Sequence, residues 1–281
     1  TASSDSFWAA LAGSIRPPLV ADATVRPMGV LSASASQSWG MPPLTKGKYR
    51  ARLAETPQDL CAAQRLRARC FGLGQTMDAD AFDARSIHVL VEATADDALV
   101  CCYRLLALDG TCLEQSYAAQ YYELSALAAY EGQMLELGRF CVAPERRDGD
   151  IVRVAWAAMT EVVDRHSVQL LFGCSSFAGV ETAQYHDAFA MLRARHLGPK
   201  RWLPRVKAPD VFRFAERLRR KPDVKKAMSR MPPLLRTYLL MGGWVSDHAV
   251  VDHQMNTLHV FTGLEIGAIP DSRKRLLRAL V

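Results

Sequence analysis

Glu136-Leu137-Gly138-Arg139-Phe140-Cys141-Val142 sets a carboxylate and a guanidinium inside an apolar, strand-like run that Pro144 stops. A charge carried into a buried strand is costly unless it is paired or used. Downstream, Asp150 is placed to cap a helix whose Ile151, Val154, Ala158, Val162 and Val163 share one face. Val168 to Cys174 then reads as a fully apolar strand. Strand 135–142, helix and strand 168–174 make a βαβ crossover, so the two strands are expected to run parallel with a right-handed connection. Glu136 and Arg139 are three residues apart and face opposite sides of a regular strand. Bringing both to one site takes a bulge.

The residues upstream supply the rest of a sheet. Tyr49, Ala51 and Leu53 alternate with Lys48, Arg50 and Arg52, as in a half-buried strand. Thr56-Pro57 opens a helix, with Thr as cap and Pro in the first position. Leu60, Ala63, Leu66 and Cys70 form its apolar face, and Gly72 and Gly74 end it. Ile87–Glu92 and Ala98–Leu108 pair as a hairpin about Ala95-Asp96-Asp97. A last helix runs from Ala183 to Arg195. This order predicts an α/β fold, a mixed sheet with helices on both faces. Residues 1–45, rich in Ser, Ala and Pro, read as a flexible leader. Residues 46–198 read as the core, and 199–281 as a basic C-terminal lobe packed on it.

The 281 residues are 49% hydrophobic, enough for a sizeable core, and carry a net charge of +6. Residues 200–230 hold twelve Lys/Arg against Asp210, Glu216 and Asp223. Such a stretch suits an acidic protein or an anionic membrane surface, unless it is merely a solvated face. No nucleic-acid-binding motif accompanies it, so no nucleic acid is expected. The seven cysteines include no Cys-x-x-Cys and read as free thiols in a reducing compartment. No apolar run reaches the length of a spanning helix, and the first residues lack a basic signal-peptide region. A cytoplasmic protein is expected, with any membrane contact peripheral, at the inner face of the cytoplasmic membrane. His248, Asp252 and His253 match no metal-binding spacing, so no metal is expected.

Arg67…Phe71, Asp80…Asp83, Arg104 and Glu136-x-Gly138-Arg139-Phe140, in that order, resemble N-acyltransferases of the GNAT superfamily. Within it, acyl-homoserine lactone synthases keep this order, with Ser where this chain has Gly138. The closer resemblance is to the bacterial L-ornithine N-alpha-acyltransferases, often labelled hemolysin-like. It runs through Ala63-Gln64-Arg65-Leu66-Arg67-Ala68-Arg69-Cys70-Phe71, Leu135–Val142, Phe172-Gly173-Cys174-Ser175-Ser176-Phe177 and the segment from Pro232 to Thr257.

That resemblance implies a GNAT-like, mainly antiparallel sheet with a splayed parallel strand pair. It implies that Phe140, Cys141, Val142, Cys174 and Ser175 line an acyl-pantetheine arm and its oxyanion. Arg146, Arg147 and Gly149 would meet the arm's phosphate at a helix start. The usual Arg/Gln-x-x-Gly-x-Gly/Ala loop is matched only at Arg146 and Gly149, with Ile151 in the last place. This favours the single phosphate of a carrier-protein arm over coenzyme A. Glu136 is the implied base, with an ion pair to Arg104 or Arg139 as the structural alternative. Arg67, Phe71, Asp80, Asp83, Arg104 and Arg139 are the implied substrate-binding residues. The aspartates suit ammonium groups or Arg67, and Arg104 and Arg139 suit a carboxylate, unless the arginines are scaffold ion pairs.

The implied reaction moves a 3-hydroxyacyl chain from acyl carrier protein, as co-substrate, to the α-amine of ornithine. No tightly bound cofactor is implied. The alternatives are the same chemistry on glutamine or another amino acid, lactone synthesis, and a non-catalytic membrane-associated protein.

Overall fold

Residues 40–279, apart from 73 and 75, are described by the structure, a computed structural model. The leader expected over residues 1–45 lies outside the described residues as far as residue 39. Its last part does not match that expectation, because Leu44–Lys46 forms strand β1, antiparallel to β2 (Tyr49–Leu53). The chain folds as a mixed α/β protein, mainly antiparallel, with one parallel pair among the described strands. Its compact units do not follow chain order. One comprises the described residues up to 106 with 137–167 and those from 271 onward, and the other comprises 107–136 and 168–270.

In the first unit the strand order is β1, β2, β3 (Ile87–Ala93), β4 (Leu99–Leu108) and the second half of β6 (Gln133–Val142). Helix α1 (Pro57–Phe71) begins as its sequence predicts. The Thr56 side chain accepts from Asp59 N–H, Asp59 accepts from Thr56 N–H, and Pro57 sits in the first turn. Gly72, left-handed at φ 63°, ends it. Ala63, Leu66 and Cys70 of α1 pack on Leu90, Cys102 and Cys141. The neighbouring residue Tyr103 points to the opposite face, where its hydroxyl donates to Ala155 O (3.0 Å) in α2 (Gly149–Arg165). The unit thus carries helices on both sheet faces.

The cap of α2 corrects one expectation. Asp148, not Asp150, is the N-cap, and its side chain accepts from Asp150 N–H (3.0 Å). Asp150 lies in the first turn, where its charge suits the helix dipole.

In the second unit the order is the first half of β6, then β7 (Val168–Ala178), β11 (Thr257–Glu265), β10 (Trp244–Asp252) and β9 (Val211–Phe212). The crossover from β6 through α2 to β7 is parallel, as expected. Strand β11 pairs antiparallel with β7 from Thr257↔Ala178 to Glu265↔Leu170. The C-terminal segment therefore extends this sheet. One face carries Phe177, Leu258, Val260, Ala249 and Val245, packed with residues of α3 (His186–Arg195), α4 (Phe214–Arg217), α5 (Val224–Arg230) and α6 (Pro233–Leu240). The other face carries Phe172, Phe261 and His259. It meets Tyr122, whose ring lies 5.7 Å from Phe261 and 5.6 Å from His259. Tyr122 belongs to the two-residue strand β5 (Tyr122–Glu123), which pairs with β8 (Arg205–Val206).

Candidate active site

The parallel ladder between β6 and β7 is short. It runs from Gln133↔Val168 to Glu136↔Phe172 and stops there, although both strands continue. Glu136 is the last residue of β6 paired with β7 and is 4% exposed. Its Oε2 accepts from Tyr117 N–H and its Oε1 from Ala118 N–H, both at 2.7 Å. Those N–H groups open a short 3-10 turn (Ala118–Gln120), whose exposed donors suit an anion. Buried backbone donors thus hold this carboxylate in one orientation. Sequence reasoning missed the Tyr117 and Ala118 partners, because a backbone N–H leaves no trace in residue type.

Three residues past Glu136 one position of β6 departs from extended backbone. Arg139 has φ 55°, a left-handed backbone that a non-glycine residue adopts only when its surroundings impose it. The Arg139 guanidinium is held by Asp78 Oδ2 (3.0 Å) and Asp80 Oδ2 (3.1 Å), and sits 5.9 Å from the ring centre of Phe71.

Arg139 is one member of a closed ring of six charges in the first unit. Arg67, 1% exposed, donates to Asp78 Oδ2 (2.8 Å) and Asp83 Oδ1 (2.7 Å), and also to Asp78 O. Arg104 donates to Asp83 Oδ1 (2.8 Å) and to both oxygens of Asp80 (2.5 and 2.9 Å). Arg139 returns from Asp80 to Asp78. Three cations and three anions alternate, and the ring is neutral. Gln64 and the Asp80 N–H also donate to Asp83 Oδ2, at 2.9 and 3.3 Å.

Burial alone raises a carboxylate pKa. Here the Arg67 and Arg104 charges outweigh it and hold Asp83 below the usual carboxylate range. The Arg104 and Arg139 charges do the same for Asp80. Burial lowers the pKa of His88, whose Nε2 lies 3.0 Å from Asp83 O, so the imidazole adds no charge to the ring near neutral pH.

All five charged residues named for the substrate side are thus together, and each arginine meets aspartates. Asp78 was missed. Three arginines at inward positions ask for three acids, and Asp78 lies two residues before Asp80, so the count was available. A Cβ at Gly138 would lie 3.4 Å from Arg104 Nε, an ordinary contact, so serine would fit there.

Among the residues expected along a donor arm, Phe140 stacks on Tyr103 with ring centres 5.4 Å apart. The Cys141 side chain is buried beside Cys102 (Sγ to Sγ 3.5 Å), and Cys70 Sγ lies 3.3 Å from Val142 O. The hydrogen bond from Cys70 to Cys141, then burial, push the Cys70 thiol well up, and burial pushes up Cys101. These are inert core thiols, and Cys141 offers only its backbone to a ligand. Arg146 and Arg147 are exposed, and Gly149 begins α2. Cys174 and Ser175 face opposite sides of β7. Cys174 pairs with Phe261, and the Ser175 hydroxyl accepts from Thr262 Oγ1 (2.9 Å). Among the described residues no group of three His, Cys, Asp or Glu could hold a metal ion, and no helix is long and apolar enough to cross a membrane.

Residues 65–157 match the family model described as an acetyltransferase (GNAT) domain. An L-ornithine N(alpha)-acyltransferase of Rhodobacter capsulatus is 33% identical over 243 residues, spanning 80% of this chain and 93% of that one. The chain belongs to the L-ornithine N(alpha)-acyltransferase family. It is an acyltransferase. A family member of Agrobacterium fabrum is 29% identical, with 79% of this chain and 83% of that one covered. Among solved structures, FeeM, an N-acyl amino acid synthase from uncultured soil microbes, is similar at a TM-score of 0.44 and 11% identity, covering 85% of this chain and 99% of that one. The AHL synthase LasI is similar at a TM-score of 0.37 and 16% identity, covering 78% and 92%.

Proposed function

We propose that this acyltransferase moves a 3-hydroxyacyl chain from an acyl carrier protein thioester to the α-amine of L-ornithine, giving a lyso-ornithine lipid. The observation that carries the reading is Glu136, a buried carboxylate fixed where the β6–β7 ladder ends. Family membership supports the acceptor. The donor arm lies along the edge of β6 beyond Glu136, with backbone groups of Phe140, Cys141 and Val142 beside it.

The acceptor's α-ammonium gives a proton to Glu136, directly or through one water. The freed amine attacks the thioester carbonyl, and a C–N bond forms. Backbone N–H groups of β6 hold the tetrahedral oxyanion. The intermediate collapses as the C–S bond breaks, the departing pantetheine thiolate takes the second proton of the attacking nitrogen to leave as the thiol, and Glu136 returns its own proton to solvent.

The start of α2 favours a carrier-protein donor. Helix N-termini bind phosphate through free N–H groups. Here the Asp148 carboxylate accepts Asp150 N–H and is pinned by the Tyr49 hydroxyl (2.9 Å). A carboxylate in that place repels a pyrophosphate, whereas one phosphate at the end of a carrier-held arm needs less of the site. Purified protein given 3-hydroxyacyl carrier protein with ornithine, lysine and glutamine should yield the ornithine amide, with one free carrier thiol per amide by mass spectrometry. A lactone product, a preference for glutamine, or lipid binding without any amide would each overturn this reading.

The basic stretch serves an anionic membrane surface, where the product partitions. Arg219, Arg220, Lys221, Lys225, Lys226 and Arg230 are exposed about Val224 and Met228, which are 47% and 39% exposed one turn apart on α5. Cations around protruding apolar side chains match an anionic interface. Exchanging Arg219 and Arg220 for glutamate should weaken binding to anionic vesicles several-fold in low salt, with little effect in high salt. Vesicle binding indifferent to the exchange would make this a solvated face. Weaker binding to carrier protein alone would make it the donor's dock.

A further inference from the structure

The backbone groups of the segment that grips Glu136 can be followed one by one to their partners. Tyr117 and Ala118 donate their N–H groups to the carboxylate, both at 2.7 Å. The next N–H, of Ala119, goes to the hydroxyl of buried Ser116 (3.1 Å). Gln120 N–H and Tyr121 N–H turn back to Tyr117 O (3.2 Å) and Ala118 O (3.0 Å). The last carbonyls of a helical turn find no donor within it. Here the Ala119 carbonyl takes its donor from 88 residues away: Lys207 Nζ, at 2.6 Å.

Lys207 belongs to the basic stretch, yet it serves the interior rather than the surface. The residue before it, Val206, pairs with Tyr122, and the N–H of the residue after it, Ala208, donates to Tyr121 O (3.0 Å). Residues 206–208 thus run alongside the gripping segment, and the ammonium completes that contact. Lys207 Nζ also faces Glu114 Oε2 at 3.4 Å, but that carboxylate is 72% exposed, and such solvated pairs contribute little. The shorter, charge-assisted bond to the Ala119 carbonyl is the stronger of the two.

The turn is therefore held at both ends, by Glu136 at its N–H groups and by Lys207 at its carbonyl. Ala118 and Ala119 are buried but carry only methyl groups. Polar bonds, more than interlocking side chains, fix where these two residues sit. A base works only within hydrogen-bond reach of its proton, so a small displacement of the donors that orient it costs far more in rate than in stability.

We infer that Lys207 is a positioning residue of the acyl transfer. By holding the Ala119 carbonyl, its ammonium keeps the Tyr117 and Ala118 N–H groups in place and so sets the orientation of Glu136. This rests on the reading of Glu136 as the base. The test uses full-length protein, the 3-hydroxyacyl carrier protein, and the best acceptor among ornithine, lysine and glutamine. Lys207→Met keeps the bulk of the side chain and removes the ammonium. Its kcat should fall about tenfold with KM within about twofold of wild type. Lys207→Arg, which still brings a cation to the carbonyl, should recover most of the loss. In a Glu136→Gln background the same Lys207→Met exchange should change kcat by less than about twofold, because the group it orients is gone. Lys200→Met, at an exposed position, controls for the lost charge and should leave kcat unchanged.

An unchanged kcat in Lys207→Met, an equal fall in both backgrounds, or a fall that Lys200→Met reproduces would overturn the inference. So would a fall that tracks a lowered urea midpoint and that arginine does not restore, which would make Lys207 a loop anchor alone. Full turnover in Glu136→Gln by itself would instead remove the base. The two failures are therefore separable.

Discussion

Replacing Glu136 with glutamine lowers turnover by about 10²- to 10⁴-fold, the usual contribution of a positioned acid or base. Glutamine has nearly the shape of glutamate but cannot take a proton at neutral pH. It also has one accepting oxygen where glutamate has two. One of the Tyr117 and Ala118 N–H groups, both at 2.7 Å from the native carboxylate, then faces an amide NH2. A buried donor so orphaned costs about 1–3 kcal/mol. The variant should lose both rate and stability, and the two are measured apart. Rates are taken well below the unfolding transition, where the folded fraction is constant, and stability comes from urea unfolding. Asp at this position keeps the charge but shortens the reach, so it should recover more stability than rate. Turnover within a few-fold of wild type would remove Glu136 from the chemistry and leave it as the anchor of the 116–120 segment.

Arg67→Ala should destabilise the protein by about 3–5 kcal/mol, the cost of breaking a buried pair from one side. Arg67 is 1% exposed and lies between Asp78 and Asp83. Removing it leaves two cations for three anions, with Asp78 and Asp83 buried and short of a partner. Arg69→Ala, two residues on, is the control. Its pair with Glu145 is at 3.4 Å with both side chains 57% exposed, and such surface pairs contribute little.

The same ring gives a pH signature. Asp80 and Asp83 are held below the ordinary carboxylate range in the folded protein. Their contribution is complete above the unfolded value of about 4 and is lost as pH falls through the depressed folded values. Urea midpoints should therefore drop below about pH 4 in wild type, and less steeply in Arg67→Ala. A variant as stable as wild type, or with an unchanged acid limb, would show that the ring does not bear on folding.

Local signals carried most of the fold. Thr56, Pro57 and Gly72 bound a helix whose caps appear as expected, because capping is a matter of a few adjacent residues. The parallel pair followed from one strand, one helix and a second apolar strand. The start of α2 was misplaced because Asp148 and Asp150 are both good caps, and only the backbone tells which one stands outside the helix.

The site was legible in composition and less so in wiring. Arg67, Arg104, Arg139, Asp80 and Asp83 stood out as charges in apolar surroundings, yet nothing in their order says that each guanidinium meets an aspartate. The Glu136 partners are backbone groups, which residue identity does not encode. Strand β1 was passed over because three residues of edge strand, with Thr45 exposed between half-buried Leu44 and Lys46, carry too little periodicity to separate from a leader.

The alternation of sign around Asp78, Arg67, Asp83, Arg104, Asp80 and Arg139 also constrains how this chain can drift. No member can change charge alone without leaving its neighbours in excess, so tolerated exchanges must come as compensating pairs or as a wholesale switch to apolar packing. Inheritance at these six places is collective, whatever freedom the surface enjoys.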